Sequence, residues 1–263
     1  MLLFIITIIF VFVLGACLGS FANVLAVRWH EMGSLGGRSR CPLCKKTIRP
    51  RHLVPIFSYL ILRGRCADCK AKIHIQYPLV ELAVGILSVV AALRHNPLGS
   101  DFPAFAVEVA LVTLLAAIVA MDLRWKELPV EIMIMIGISA AIIHLFGNKN
   151  YSLLTTTYHL LLAVVLPVAF FGAQWLLSKG RWLGGGDVWF GAMLGLVLGN
   201  WQMTAIAIYL SYLLGGCTAG ILLLAKIIKR GVNIPFAPFL AAGLMLTLWF
   251  GDSIQAWIVK FIF

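Results

Sequence analysis

Polar and apolar residues are segregated along this chain in long blocks. From Leu2 to Val27 there is no charged residue, and no basic residue precedes the run as a secretory signal peptide would require. It is long enough to cross a bilayer core as one helix. A polar stretch runs from Arg28 to about Gln76. Further apolar runs fall near 78–93, 103–121, 129–146, 153–177, 188–199, 203–225 and 236–258, giving about eight membrane helices at ~20 residues each. The run 188–199 is short and is expected to extend through Trp201. Leu53 to Leu62 is too short to cross and is expected to lie in the interface. The pattern predicts an all-α polytopic membrane protein: a first helix over 1–27, a cytoplasmic domain over 28–76, and a helical core over 77–263.

Composition sharpens this reading. With 62% hydrophobic and 12% charged residues, the chain carries more apolar side chains than a water-soluble domain of this length can hide. The formal net charge is +11. With the N-terminus outside, 18 of the 21 basic residues fall in cytoplasmic segments, leaving Arg94, Lys149 and Lys260 opposite. The positive-inside tendency prefers that orientation, so the charge needs no nucleic acid to explain it.

The polar stretch contains Cys41-Pro-Leu-Cys44 and Cys66-Ala-Asp-Cys69 inside a short repeat, CPLCKKTI against CADCKAKI, offset by 25 residues. Each CxxC turn places two thiolates on one side of a tight loop, and two turns complete the tetrahedral sulfur shell of a structural zinc site. Redox-active thiols and unligated cysteines are the alternatives; a reducing compartment disfavours stable disulfides. His52 and His74 are expected to be solvated, and Cys17 and Cys217 to be small packed side chains in apolar helices.

Most of the ten acids have ordinary settings. Glu108 lies deepest and is expected to pair within the bundle. Asp122 ends an apolar run, at the helix-dipole end where an acid is disfavoured. Asp187 follows Leu183-Gly184-Gly185-Gly186 and precedes another run, so a helix N-cap is its plain structural reading. Two crossings separate these acids, which returns both to one leaflet. If they approach, they cannot both ionise cheaply and would share a proton near neutral pH, as aspartic-protease carboxylates do. Gly184 and Gly186 would let a substrate backbone come close and let the loop adopt positive φ. There is no GxSxG, GxGxxG or Walker loop, and His30-Glu31 is followed by Ser34 where HExxH requires histidine.

These residues together resemble the type IV prepilin peptidases, leader peptidases and N-methyltransferases of pilus assembly and type II secretion. Gly19-Ser20-Phe21-Ala22-Asn23-Val24 with Arg28 is similar to the family's GSFxNV opening. RSRCPLC, LVPIFSYLILRGRCADC and YPLVE (Tyr77 to Glu81) follow in family order. Asp122-Leu123-Arg124 with Leu128-Pro129 resembles the first catalytic-aspartate motif, and Gly184-Gly185-Gly186-Asp187 the GxGD motif. Ile234-Pro235-Phe236-Ala237-Pro238-Phe239-Leu240 is similar to the late PFGP segment. Trp189, Ala237 and Val130 depart from the family's lysine, glycine and polar residue.

The resemblance implies a bacterial inner-membrane enzyme that cleaves the basic leader of type IV prepilins or pseudopilins at the cytoplasmic face, commonly between glycine and phenylalanine. It implies Asp122 and Asp187 as the catalytic pair and the four cysteines as a zinc site. It also implies methylation of the new N-terminus from S-adenosylmethionine. The competing readings are a non-enzymatic carrier or scaffold with Glu108, Asp122 and Asp187 on an ion path, and a presenilin-like GxGD protease with other substrates.

Overall fold

The computed structural model describes residues 1–31, 36–147, 153–229, 232 and 234–262. Ser34, Lys149 and Arg230 lie outside the described residues. Regular structure among those described is helical, apart from two isolated antiparallel bridges. The chain divides into two compact units, Met1–Arg124 and Trp125–Phe263.

The first unit holds α1 (Leu2–His30), α2 (Phe57–Ile61), α3 (Gln76–Arg94) and α4 (Phe102–Trp125). Helix is the expected state of such apolar runs, because a bilayer offers no water to backbone groups and a helix satisfies them internally. α1 and α3 pack with their backbones close. A Cβ on Gly19 would lie 2.7 Å from Glu81 Cα and 2.9 Å from the Val80 carbonyl oxygen, so only glycine permits this crossing. Val11, Ala91, Phe105 and Val109 form a buried cluster joining α1, α3 and α4. The Gln76 amide donates to the Ala120 carbonyl at 3.0 Å. Glu108 pairs as expected: His95 Nε2 lies 2.8 Å and Arg94 Nη1 3.5 Å from its carboxylate oxygens.

The five-residue α2 lies within Leu53 to Leu62, the segment expected not to cross, and a 3-10 turn (Pro50–His52) precedes it. Phe57, Leu60 and Ile61 are exposed on it. Cys17 and Cys217 are exposed rather than packed within the chain. Outward faces of membrane helices meet lipid, which accepts a small apolar thiol as readily as a protein core does.

The second unit contains α5 (Val130–Gly147), α6 (Leu153–Ser178), α7 (Gly185–Leu198), α8 (Trp201–Leu224) and α9 (Ala237–Ile262). Gly195 of α7 sits directly against the Ala163 carbonyl of α6, and Gly191 against the Phe171 ring.

Among the described residues, six helices, including α1, α3, α4, α8 and α9, are long and apolar enough to cross a membrane by length and composition; α5 and α7 are shorter apolar helices. α7 does not extend through Trp201 as expected. It stops at Gly199, which takes the left-handed conformation (φ 66°), and Asn200 opens α8 by accepting from the Gln202 amide at 2.8 Å. A glycine stop followed at once by an asparagine N-cap reverses the chain in two residues. The 14 residues of α7 span only ~21 Å at 1.5 Å per residue.

Candidate active site and metal centre

Asp122 lies in the last turn of α4 and is buried, at 6% exposure. It continues the buried face formed by Ala117, Ile118, Ala120 and Met121. Nearby, Arg124 donates to the Tyr77 hydroxyl at 3.4 Å. The helix ends as Lys126 turns into the left-handed region (φ 57°), before Leu128-Pro129 leads into α5.

Asp187 is the third residue of α7, not its N-cap; Gly184 holds that position. The carboxylate reaches back and accepts the Gly184 amide at 3.0 Å, while the Asp187 amide donates to the Gly184 carbonyl at 3.1 Å. It therefore serves the helix start from N3, where the helix dipole favours negative charge. Its exposure is 7%.

The glycines work differently from the expectation. Gly184 has φ −76°, and Gly185 and Gly186 are helical; Gly180 (φ 76°) and Lys179 (φ 52°) make the left-handed turn instead. The requirement at Gly186 is space, since a Cβ would lie 2.8 Å from Leu128 Cβ. A helix start leaves these residues no need for positive φ.

The four cysteines converge. Their Sγ atoms all lie within 4.8 Å of one another, with Cys41 and Cys69 3.8 Å apart. Sulfurs at ~2.3 Å from a tetrahedral ion are separated by ~3.8 Å, so the four can hold a metal ion. The sequence repeat is also a structural repeat. The Cys41 amide donates to Lys46 and the Lys45 amide to Cys41; the Cys66 amide donates to Ala71 and the Lys70 amide to Cys66. Lys45 and Lys70 both take positive φ, and the bridges Arg40–Thr47 and Arg65–Lys72 close the two knuckles. Burial works to raise the Cys41 thiol, but the amides of Cys44 and Leu43 and the neighbouring thiols bring it down to about 7. The Ala71 amide works to lower Cys69, yet desolvation and the other three thiols push it up to about 11. Four thiols so close oppose simultaneous ionisation unless a cation joins them. His74 is no ligand: its Nδ1 accepts the Gln76 amide at 3.2 Å, at the start of α3.

Two polar arrangements escaped the sequence reading. Glu81, buried in α3, accepts the Ile56 amide at 2.7 Å. Ile56 sits at φ 62°, ψ −55°, and the Phe57 amide meets the Pro55 carbonyl at 2.6 Å; this γ-turn is strained for a β-branched residue. In the second unit, the Tyr212 hydroxyl donates to Gln174 Oε1 at 2.8 Å. The available signal was a polar side chain inside an apolar run; the partners are set by tertiary packing.

Comparison with known proteins places these features. Residues 13–95 match the Bacterial Peptidase A24 N-terminal domain, and residues 109–221 the Type IV leader peptidase family. Over 250 residues the chain is 31% identical to the prepilin leader peptidase/N-methyltransferase of Bacillus subtilis, covering 95% of this chain and 96% of that relative. The chain belongs to the type IV leader peptidase family. Other relatives of the same description include one from Stutzerimonas stutzeri, 37% identical over 85% of this chain and 75% of its own. One from Pseudomonas aeruginosa is 33% identical over 94% of this chain and 92% of its own. No solved structure matches the chain. Within this family member, the cysteines lie in the matched N-terminal domain, and Asp122 and Asp187 in the leader peptidase region.

Proposed function

We propose that the chain is a membrane aspartic endopeptidase that removes the leader of type IV prepilins or pseudopilins and N-methylates the new N-terminal residue. The observation that carries this reading is the similarity to prepilin leader peptidase/N-methyltransferases along nearly the whole of both chains. It also disfavours the carrier and scaffold reading.

Asp122 and Asp187 are the catalytic pair. Brought together, one carboxylate stays ionised and takes a proton from the attacking water, while the protonated partner hydrogen-bonds the developing oxyanion. The leaving amine is then protonated, without a covalent intermediate. The helix-start position of Asp187 suits the ionised role, because the dipole and the Gly184 amide both favour negative charge. Gly184 supports this helix start by leaving the side of the Asp187 carboxylate free of a side chain, and Gly186 supports it by letting Leu128 pack against it.

Cys41, Cys44, Cys66 and Cys69 hold a structural zinc ion, whose all-thiolate shell leaves no open position for chemistry. The zinc-binding domain over 28–76 follows the first helix over 1–27, and the peptidase core spans 77–263. With α5 and α7 joining the six long helices, the chain has eight membrane segments. Its N-terminus is outside, and both the zinc domain and the aspartates face the cytoplasm of a bacterial inner membrane. A prepilin suits such a site: its apolar helix stays in the bilayer while its basic leader remains in the cytoplasm.

S-adenosylmethionine is the methyl donor implied by the family. A cleft of about 550 Å³ lined by Ile61, Leu62, Arg63, Arg65 and Lys70 does not fit it, because three cations and no carboxylate oppose a sulfonium. No residue is assigned to it.

Coexpression with a prepilin tests the reading. Native chain should convert the prepilin to its shorter form, and Asp122→Asn or Asp187→Asn should leave it full length. Cleavage by both variants would overturn the assignment.

A further inference from the structure

The late segment Ile234 to Leu240 resembles a family segment, with Ala237 in place of its glycine, but the aspartate chemistry gives it no task. The structure shows what part of it touches. Phe236 packs on Tyr212 with ring centroids 5.1 Å apart, and Phe171 stacks on the same ring at 6.3 Å and 14°. Tyr212 is thus held between α6 and the segment leading into α9. Its hydroxyl is directed to Gln174 Oε1 at 2.8 Å.

The register of α6 against α7 fixes the depth of this pair. Gly195 meets Ala163, Gly191 meets Phe171, and Gly185 meets Trp175. Antiparallel helices in that register bring Asp187 level with Gln174. Asp187 and Gly191, four residues apart, share one helix face, and that face packs on Phe171.

A substrate peptide in such a bundle meets a specific difficulty. An extended backbone presents unpaired N–H and C=O groups, and the described residues of this unit offer no strand edge to pair them. In a membrane-embedded site each unmade hydrogen bond is costly. Gln174 and Tyr212 have complementary capacity to spare. With its proton given to Gln174, the Tyr212 oxygen still accepts, and of the two N–H donors of the Gln174 amide one is engaged among the described residues, by the Phe170 carbonyl at 3.4 Å.

We propose that Gln174 and Tyr212 are a positioning pair for the scissile segment: Tyr212 accepts a substrate backbone N–H and Gln174 donates to a substrate carbonyl, holding the peptide beside Asp187. This rests on the peptidase reading above. The role of Phe236 is then to fix the Tyr212 ring.

The test uses full-length protein in lipid and prepilin peptides in which each non-scissile backbone N–H near the cleavage point is replaced in turn by an ester oxygen. Tyr212→Phe keeps the ring packing and should melt at the native temperature while losing about tenfold in kcat/KM, the scale of one hydrogen bond. At one substrate position the native enzyme should lose about tenfold, and Tyr212→Phe less than about twofold, since the partner is already gone. A native rate for Tyr212→Phe, or equal losses for both enzymes at every position, would overturn the proposal. If Tyr212→Phe folds poorly, Gln174→Met carries the same comparison at the substrate carbonyls. Asp187→Asn in the same preparation separates the two levels: its cleavage would sink the peptidase reading, whereas its inactivity beside a fully active Tyr212→Phe would sink only the positioning pair.

Discussion

Removing the metal from the four-cysteine cluster should unfold the knuckle region while leaving the membrane helices intact. Between residues 36 and 75, only Cys41, Ser58 and Gly64 are buried among those described, so no apolar core sustains the fold. The Lys46–Asp68 ion pair spans 3.5 Å and is largely exposed, a type contributing ~0–1 kcal/mol. Against this stands a backbone ordering cost of ~1–2 kcal/mol per residue. Zinc bound by four thiolates supplies ~10–16 kcal/mol in small domains, and segments below ~40 residues generally need such help. The assay is hydrogen exchange before and after chelation, beside metal analysis. About one zinc per chain is expected. The amides of Cys41, Lys45, Cys66 and Lys70, protected by the paired knuckle hydrogen bonds, should then exchange rapidly, with α1 and α3 unaffected. Cys66→Ser should reproduce the effect without chelator. Metal-free protein that keeps those four amides protected, with all four thiols freely alkylated, would refute the reasoning.

Zinc affinity should fall as pH drops, because protons compete for the thiolates. Cys69 is already protonated at neutral pH in the metal-free cluster, whereas Cys41 titrates at about 7. Below that pH both thiols must lose a proton on binding, so the affinity should weaken by at least about a hundredfold per unit, measurable by competition with a chromophoric chelator. Glu81→Ala removes the acceptor of the strained Ile56 amide and should cost ~1–3 kcal/mol, seen as a lower melting temperature and faster exchange at Ile56 and Phe57. An unchanged melt would remove Glu81 from the anchoring role. Gly191→Ala puts a Cβ 2.5 Å from a ring carbon of fully buried Phe171. Overpacking of that kind costs ~1–3 kcal/mol, and by moving α7 it should also slow cleavage.

Apolar runs located the helices because a membrane helix needs only length and apolarity, and the repeat CPLCKKTI/CADCKAKI declared the knuckles because local sequence builds each turn. Where the reading failed, local geometry or tertiary packing decided. Leu198-Gly199-Asn200 contained the stop and start that end α7 early, but the apolar pattern continues past them. Asp187 was expected at an N-cap; the position of the helix start moved that role to Gly184 and left Asp187 at N3. The glycines before it were expected to supply positive φ, yet Gly186 is required by Leu128, from a different part of the chain. Nothing in spacing could link Glu81 to Ile56 or Tyr212 to Gln174, because those partners meet only after the helices pack.

The central claim is aspartate-dependent leader removal, and intact-mass measurement on a prepilin incubated with purified protein in lipid tests it most directly. The native chain should release the leader and, supplied with S-adenosylmethionine, add about 14 Da to the new N-terminus as one methyl group, while Asp122→Asn and Asp187→Asn should leave the prepilin at full mass. Equal cleavage by native and variant proteins, or an intact prepilin with well-folded native protein across several leaders, would contradict the account.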